Sequence, residues 1–279
     1  MEIFRDKNSL ITHIKSIKDS GKTIGFVPTM GALHEGHLSL IRTAQQEIDV
    51  VVVSIFVNPT QFNNKEDLRL YPRKEASDLE KLQAIQCDVV FVPDEQEMYP
   101  EPDTREFDLG HFAHVMEGKF RPGHFNGVVQ IVTKLFDVVQ PHKAYFGQKD
   151  FQQLAIIQYI TKKLGYSIEI VPVPTVRESD GLAMSSRNER LTPEQRAIAP
   201  LIYKTLQNAV LKQKSLSVSE LELWVTEQIN QLPFLRVEYF QVVNSETLLP
   251  INNWHEKCKI IGCIAVFCGD VRLIDNIFF

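Results

Sequence analysis

Residues 50–57, Val-Val-Val-Val-Ser-Ile-Phe-Val, form an apolar run with no alternation of polar and apolar positions. A strand with one wetted face shows a period of two. A run without that period belongs to a strand covered on both sides, which means a parallel sheet layered between helices. The surrounding sequence supplies the other layers. Residues 23–28 read as another buried strand, and Leu38, Ile41, Ala44 and Ile48 recur at helical spacing just after it. Further helices are expected over 78–86, 128–139 and 151–164, and strands over 88–93, 144–146 and 168–173. Val128, Val132, Leu135 and Val139 form one stripe, and Gly165 stands where the helix of 151–164 should be capped. This alternation predicts an α/β fold built on a doubly wound, Rossmann-like parallel sheet.

Past Thr175 the pattern changes. Thr192-Pro193-Glu194-Gln195 carries an N-cap, a proline in the first turn and a capping-box Gln, and predicts a long helical stretch. Another helix is expected over 219–232, then strands over 237–243, 260–267 and 271–277, the last two joined by Gly269-Asp270. Helices followed by strands indicate a smaller C-terminal α+β domain. Pro172, Pro174 and the polar stretch 177–181 interrupt periodicity, so the boundary is expected within 174–185, dividing the chain into 1–177 and 178–279.

Composition narrows the function classes. With 279 residues, 44% of them hydrophobic, the chain can bury two cores of unequal size. Its net charge of −5 disfavours nucleic acid and anionic membrane surfaces as partners, since both reward an excess of Lys and Arg. Residues 1–7 are charged where a signal peptide would be apolar, and no apolar run approaches the ~20 residues of a membrane span, so a cytoplasmic location is expected. Cys87, Cys258, Cys263 and Cys268 have neither disulfide-framework nor C-x-x-C spacing and read as buried thiols.

The segment Thr29-Met30-Gly31-Ala32-Leu33-His34-Glu35-Gly36-His37 lies where a strand gives way to a helix. The first amides of a helix lack intrahelical partners and sit at the positive end of its dipole, so this corner suits a phosphate. His34 and His37 are one residue short of the H-E-x-x-H zinc spacing, but two imidazoles at i and i+3 can both donate to one anion. Neither common glycine-rich nucleotide loop occurs, so any nucleotide bound at this corner is held by the histidine-containing turn.

Other segments have a functional and a bland reading side by side. Met184-Ser185-Ser186-Arg187-Asn188 could wrap a polyphosphate or be ordinary loop. In Gly147-Gln148-Lys149-Asp150, Asp150 could cap the next helix with Gln153 closing the box, whereas Lys149 opposes the helix dipole and favours an anion. Gln61, in Asn58-Pro59-Thr60-Gln61-Phe62, could bind a small polar substrate or sit in a turn. Residues 121–127, Arg-Pro-Gly-His-Phe-Asn-Gly, could be a mobile lid or a long connection. Asp78 could complement a helix dipole.

In this order the segments closely resemble the pantothenate synthetase family, and the resemblance covers nearly the whole chain. The H-x-G-H element is shared more widely, by nucleotidyl transferases and class I aminoacyl-tRNA synthetases. Asn-Pro-Thr-Gln-Phe and Phe-Gly-Gln-Lys-Asp narrow the match. The resemblance implies an ATP-dependent ligase that joins (R)-pantoate to β-alanine through a pantoyl adenylate, releasing AMP and pyrophosphate. It further implies that Met30, Gly31, Ala32, Leu33, His34, Glu35, Gly36, His37, Gly147, Gln148, Lys149, Asp150, Val176, Met184, Ser185, Ser186 and Arg187 hold ATP. Gln61 and Gln153 would hold pantoate, with Gln61 also near β-alanine. His34, His37, Lys149, Ser185, Ser186 and Arg187 would do the catalytic work, and Mg²⁺ would accompany ATP with Asp78 as its nearest carboxylate. A lid role for the C-terminal domain and a homodimer through the N-terminal domain complete the expectation. The nearest rival is another H-x-G-H nucleotidyl transferase, which would keep the nucleotide on its product; a non-catalytic RNA-binding module fits the acidic balance poorly.

Overall fold

The computed structural model describes residues 1–63 and 65–279. It comprises two compact units, one of residues 1–148 and 153–174, the other of residues 149–152 and 175–279.

The first unit is built on six strands, β1 (Glu2–Phe4), β2 (Ile24–Thr29), β3 (Val50–Ile55), β4 (Val89–Phe91), β5 (Lys143–Gly147) and β6 (Glu169–Val173). They lie in the order β1-β4-β3-β2-β5-β6, and every neighbouring pair is parallel. The connections carry helices α1 (Lys7–Asp19), α2 (Glu35–Gln45), α3 (Lys65–Leu70), α4 (Glu75–Ala84), α5 (Glu95–Met98), α6 (Met116–Phe120), α7 (His124–Val139) and α8 (Phe151–Lys163). The apolar run at 50–57 has its cause here, because β3 is buried along its whole length. Val51 and Val53 pack with Leu38, Ile41 and Ala44 of α2 and Leu82 of α4. On the other face of the sheet Phe26 meets Phe136 of α7 edge-on, with centroids 6.4 Å apart. At roughly 1.5 kcal/mol or more for each fully buried valine, these contacts outweigh local propensity in fixing the layers.

Strand β1 has no counterpart in the sequence-based expectation. It has three residues, two of them exposed, and pairs only with β4 at the sheet edge, so it carries no pattern to read. The chain runs from β2 outward to β3 and β4 and then returns to place β5 on the other side of β2. The order therefore reverses between β2 and β5, and ligands in open α/β sheets bind outside the carboxyl ends of the strands at such a point. Thr29 ends β2 there and Gly147 ends β5.

In the second unit β7 (Leu235–Asn244), β8 (Ile260–Cys268) and β9 (Val271–Phe278) form an antiparallel meander. Helices α9 (Pro193–Ile198), α10 (Leu201–Lys212) and α11 (Val218–Asn230) accompany it. Leu206, Leu221, Val225 and Ile229 share a core with Phe240, Val242, Ile264 and Val266. Thr192 caps α9, and Gln195 closes the capping box. The long helical stretch expected from 192 onward is broken, however. Pro200 has no amide to donate and separates α9 from α10. Residues 149–152 belong with this unit: Asn276 donates from Nδ2 to the Lys149 carbonyl at 3.1 Å, and Phe151 meets Phe278 edge-on. Among the described residues no helix is long and apolar enough to cross a membrane.

Candidate active site

The histidine turn is held from several sides. Gly31 and Ala32 both take left-handed backbone, at φ +78° and +48°, which aims successive amides in one direction. Asp78 receives them: the Ala32 amide donates to Oδ2 at 2.8 Å and the Leu33 amide to Oδ1 at 2.7 Å. A side chain at Gly31 would place a Cβ 3.0 Å from that same Oδ2, in a backbone conformation that L residues rarely adopt. Lys81 donates to the Leu33 carbonyl at 2.6 Å, and the Thr29 hydroxyl donates to the Ser54 carbonyl at 2.7 Å.

His34 is the N-cap of α2, with extended backbone and its Nδ1 accepting the Gly36 amide at 3.1 Å. His37 closes the reciprocal contact, its Nδ1 accepting the His34 amide at 3.3 Å. The pair thus forms a capping box made of two imidazoles, with ring centroids 4.1 Å apart. Because both Nδ1 atoms accept, each neutral ring carries its proton on Nε2. Two Nε2–H donors at a helix N-terminus suit phosphate oxygens. Glu35, between the two histidines, pairs with Arg42 two turns further along α2.

Gln61 lies in the 3₁₀ turn Pro59–Gln61 that follows β3 and is 9% exposed. Its Oε1 accepts from Asn58 Nδ2 at 3.1 Å, and its Nε2 donates to the Met30 sulfur at 3.0 Å. The turn and the Met30 segment therefore meet through this amide. Helix α7 closes against the same turn, with His124 Nδ1–H donating to the Gln61 carbonyl at 2.7 Å. Gly127 permits the approach, since a Cβ there would lie 2.3 Å from the Thr60 carbonyl oxygen. His124, Phe125 and Gly127 are buried, so this part of the 121–127 segment is the packed start of a helix.

The remaining nucleotide-site expectations divide between the units. Gly147, Gln148 and the half-buried Gln153 belong to the first. Lys149, Asp150, Val176, Met184, Ser185, Ser186 and Arg187 belong to the second. There the Met184 amide donates to the Val176 carbonyl at 3.0 Å, and Arg177 pairs with Ala183 in an antiparallel bridge. This small hairpin brings Val176 beside Met184. Ser185 caps the 3₁₀ turn Ser186–Arg190, its Oγ accepting the Arg187 amide at 3.2 Å. Lys149, Ser185 and Arg187 line one open cleft with Asn188, Arg272 and Asp275. Lys149 Nζ lies 3.7 Å from the Asp150 carboxylate, a neighbour that offsets its position at a helix start.

Three residues of this machinery carry no signal in the sequence. Arg177 forks onto Asp275 through bonds of 2.7 and 2.8 Å and stacks on Tyr203 at 3.4 Å, which anchors the hairpin to β9 and α10. The third is Tyr99, whose hydroxyl donates to Asn58 Oδ1 at 2.7 Å. Asp78 is placed differently from its metal-ligand expectation. It is 0% exposed, and each carboxylate oxygen takes one loop amide. Among the described residues no group of three or more His, Cys, Asp or Glu is arranged to hold a metal ion. A protein-built Mg²⁺ cage does not fit these residues.

A doubly wound parallel sheet with a helix-capping pair of imidazoles at its switch point places the chain in the class of α/β proteins that bind ligands at the carboxyl edge of the sheet. Comparison with known proteins narrows the class. The Pantoate-beta-alanine ligase family profile matches residues 2–278, and the chain belongs to that family. It is 54% identical over 277 residues to a pantothenate synthetase of Porphyromonas gingivalis, covering 99% of each chain. It superposes on the crystal structure of pantothenate synthetase from Thermus thermophilus with a TM-score of 0.92, 42% identity and 99% of each chain covered. A pantoate-beta-alanine ligase from Francisella tularensis, solved in complex with beta-gamma ATP and beta-alanine, matches with a TM-score of 0.83 and 36% identity, covering 100% of this chain and 97% of that one.

Proposed function

We propose that this chain condenses (R)-pantoate with β-alanine at the expense of ATP, forming pantothenate, AMP and pyrophosphate through a pantoyl adenylate. The observation that carries this reading is the family match along residues 2–278. The two-imidazole cap at the sheet's switch point supplies its chemical footing.

In the first half-reaction a pantoate carboxylate oxygen attacks the α-phosphorus of ATP. The new P–O bond forms as the bond to pyrophosphate breaks. A carboxyl group is ionised at neutral pH without help, so the protein's task is to spread developing negative charge over fixed donors. His34 and His37 offer Nε2–H groups for it, and Lys149, Ser185, Ser186 and Arg187 are assigned the same work, with the backbone of Met30–His37, Gly147–Asp150, Val176 and Met184 framing the nucleotide. In the second half-reaction the β-alanine amine attacks the acyl carbon, the bond to AMP breaks, and the nitrogen loses a proton. Gln61 and Gln153 hold pantoate, and Gln61 also borders β-alanine.

Mg²⁺ belongs to this reading as the partner of the ATP phosphates, while Asp78 holds the histidine turn through the Ala32 and Leu33 amides. A homodimer through residues 1–177, a lid role for residues 178–279 and a cytoplasmic location complete the proposal. The test is product analysis. AMP release that requires both pantoate and β-alanine supports the ligase reading; a product that retains the nucleotide favours a nucleotidyl transferase.

A further inference from the structure

Around Gln61 a chain of hydrogen bonds runs inward to one backbone carbonyl, and its polarity can be deduced link by link. Asn58 is 1% exposed and one end of its amide faces the Gly127 carbonyl at 3.0 Å. A carbonyl only accepts, so that end is the NH₂. The same NH₂ meets Gln61 at 3.1 Å, which makes the facing atom of Gln61 its oxygen. The NH₂ of Gln61 is thereby turned the other way, toward the Met30 sulfur at 3.0 Å. A thioether is a weak acceptor, so this donor is held without a strong partner of its own.

The opposite end of Asn58 is the oxygen, and it takes two hydroxyls. Tyr99 donates to it at 2.7 Å and Thr60 at 3.2 Å. Burial pushes the Tyr99 phenol up to about 12, which keeps it a neutral donor. Its ring is fixed by Phe56, with centroids 6.2 Å apart, and by Lys134 Nζ at 5.1 Å.

We infer that Tyr99 is a positioning residue for substrate recognition: through Asn58 it locks the Gln61 amide with its NH₂ presented, so that this position selects a ligand group that accepts a hydrogen bond, such as a carboxylate or hydroxyl oxygen. The inference rests on the reading of Gln61 as a pantoate ligand. A free Gln side chain can offer either end of its amide to a ligand; this one is set by a backbone carbonyl two hydrogen bonds away. Tyr99 touches neither Gln61 nor any reacting group in this scheme; it acts through Asn58, with a second and longer contact from its hydroxyl to that of Thr60 at 3.4 Å.

The test is steady-state kinetics on the full chain. Gln61→Glu, which replaces the donor by an acceptor, is expected to raise the pantoate KM at least tenfold. Tyr99→Phe, which keeps the ring and removes the bond to Asn58, worth about 1 kcal/mol, together with the longer contact to Thr60, is expected to raise it about fivefold with the ATP KM within twofold of wild type. Thr60→Val, which strips the longer bond to the same oxygen, is expected to raise it about twofold. In a Gln61→Ala background Tyr99→Phe should have no further effect on the pantoate KM, because the relay has lost its end. An unchanged pantoate KM in Gln61→Glu overturns the reading of Gln61 itself. A large effect there with no effect of Tyr99→Phe, an equal rise in the ATP KM, or an undiminished Tyr99→Phe effect in the Gln61→Ala background each overturns the relay and leaves the reading of Gln61 standing.

Discussion

Asp78 accepts the Leu33 amide at 2.7 Å across 45 positions of sequence, and this contact ties the first turn of α4 to the residue before the histidine pair. With Ala32 held by the other oxygen, the carboxylate fixes the loop that aims α2. Asp78→Asn presents an NH₂ to one of these amides and leaves a buried donor unsatisfied. We expect a loss of about 2 kcal/mol in unfolding free energy by urea titration. We also expect weaker ATP binding, since the turn loses its anchor; unaltered ATP affinity would separate the anchor from the site.

His37 contributes one reciprocal cap and little core. His37→Ala should cost about 1 kcal/mol of stability, the worth of a cap, while lowering the rate of adenylate formation by about a hundredfold or more. Single-turnover measurements beside denaturant titrations compare the two. Equal proportional losses would mean that His37 serves only to cap α2.

Asp275 and Arg177 are mostly buried, at 6% and 18% side-chain exposure, and joined by two parallel bonds. Removing one partner strands a buried charge, so Asp275→Ala should destabilise the protein by about 3 kcal/mol. Arg177→Met combined with Asp275→Leu should cost less than that single change, because neither charge remains. Urea unfolding of the three variants checks the order.

Asp103 gives a pH signature. The Arg105 guanidinium bonded to its carboxylate, with Lys134 at 3.4 Å, lowers it from 3.8 to about 2. A carboxyl whose folded value lies below its unfolded value stabilises the fold above the unfolded value and loses that contribution as pH falls through the folded one. Stability should therefore decline between about pH 4 and about pH 2, and Asp103→Asn should flatten the decline. Urea midpoints at pH 5 and pH 3 measure the difference.

The fold was legible where burial leaves a periodic trace. The run at 50–57 required two covering layers, and Val51 and Val53 on one face with Phe26 and Phe136 on the other supply them. The cap at Thr192 was equally readable, being written in adjacent residues. Strand β1 is too short to leave a period, and the start signal at Thr192 says nothing of where the helix stops, which Pro200 decides. At the proposed site the histidines, Gln61 and the Ser185–Arg187 stretch stand out as candidates through local chemistry. Tyr99 and the Arg177–Asp275 fork did not, because each acts across 41 or 98 positions through contacts that only the fold creates. The bonds from Asp78 to two loop amides leave no trace in sequence, since a carboxylate in the first turn of a helix looks the same whether it faces a cation or backbone amides.

The central claim is that the first chemical step is adenylation of pantoate. Exchange of labelled pyrophosphate into ATP tests it most directly. The account predicts exchange that requires pantoate, proceeds without β-alanine and is nearly lost in His37→Ala. Folded, ATP-binding protein that shows no exchange with pantoate present, or the same exchange without it, would contradict the account.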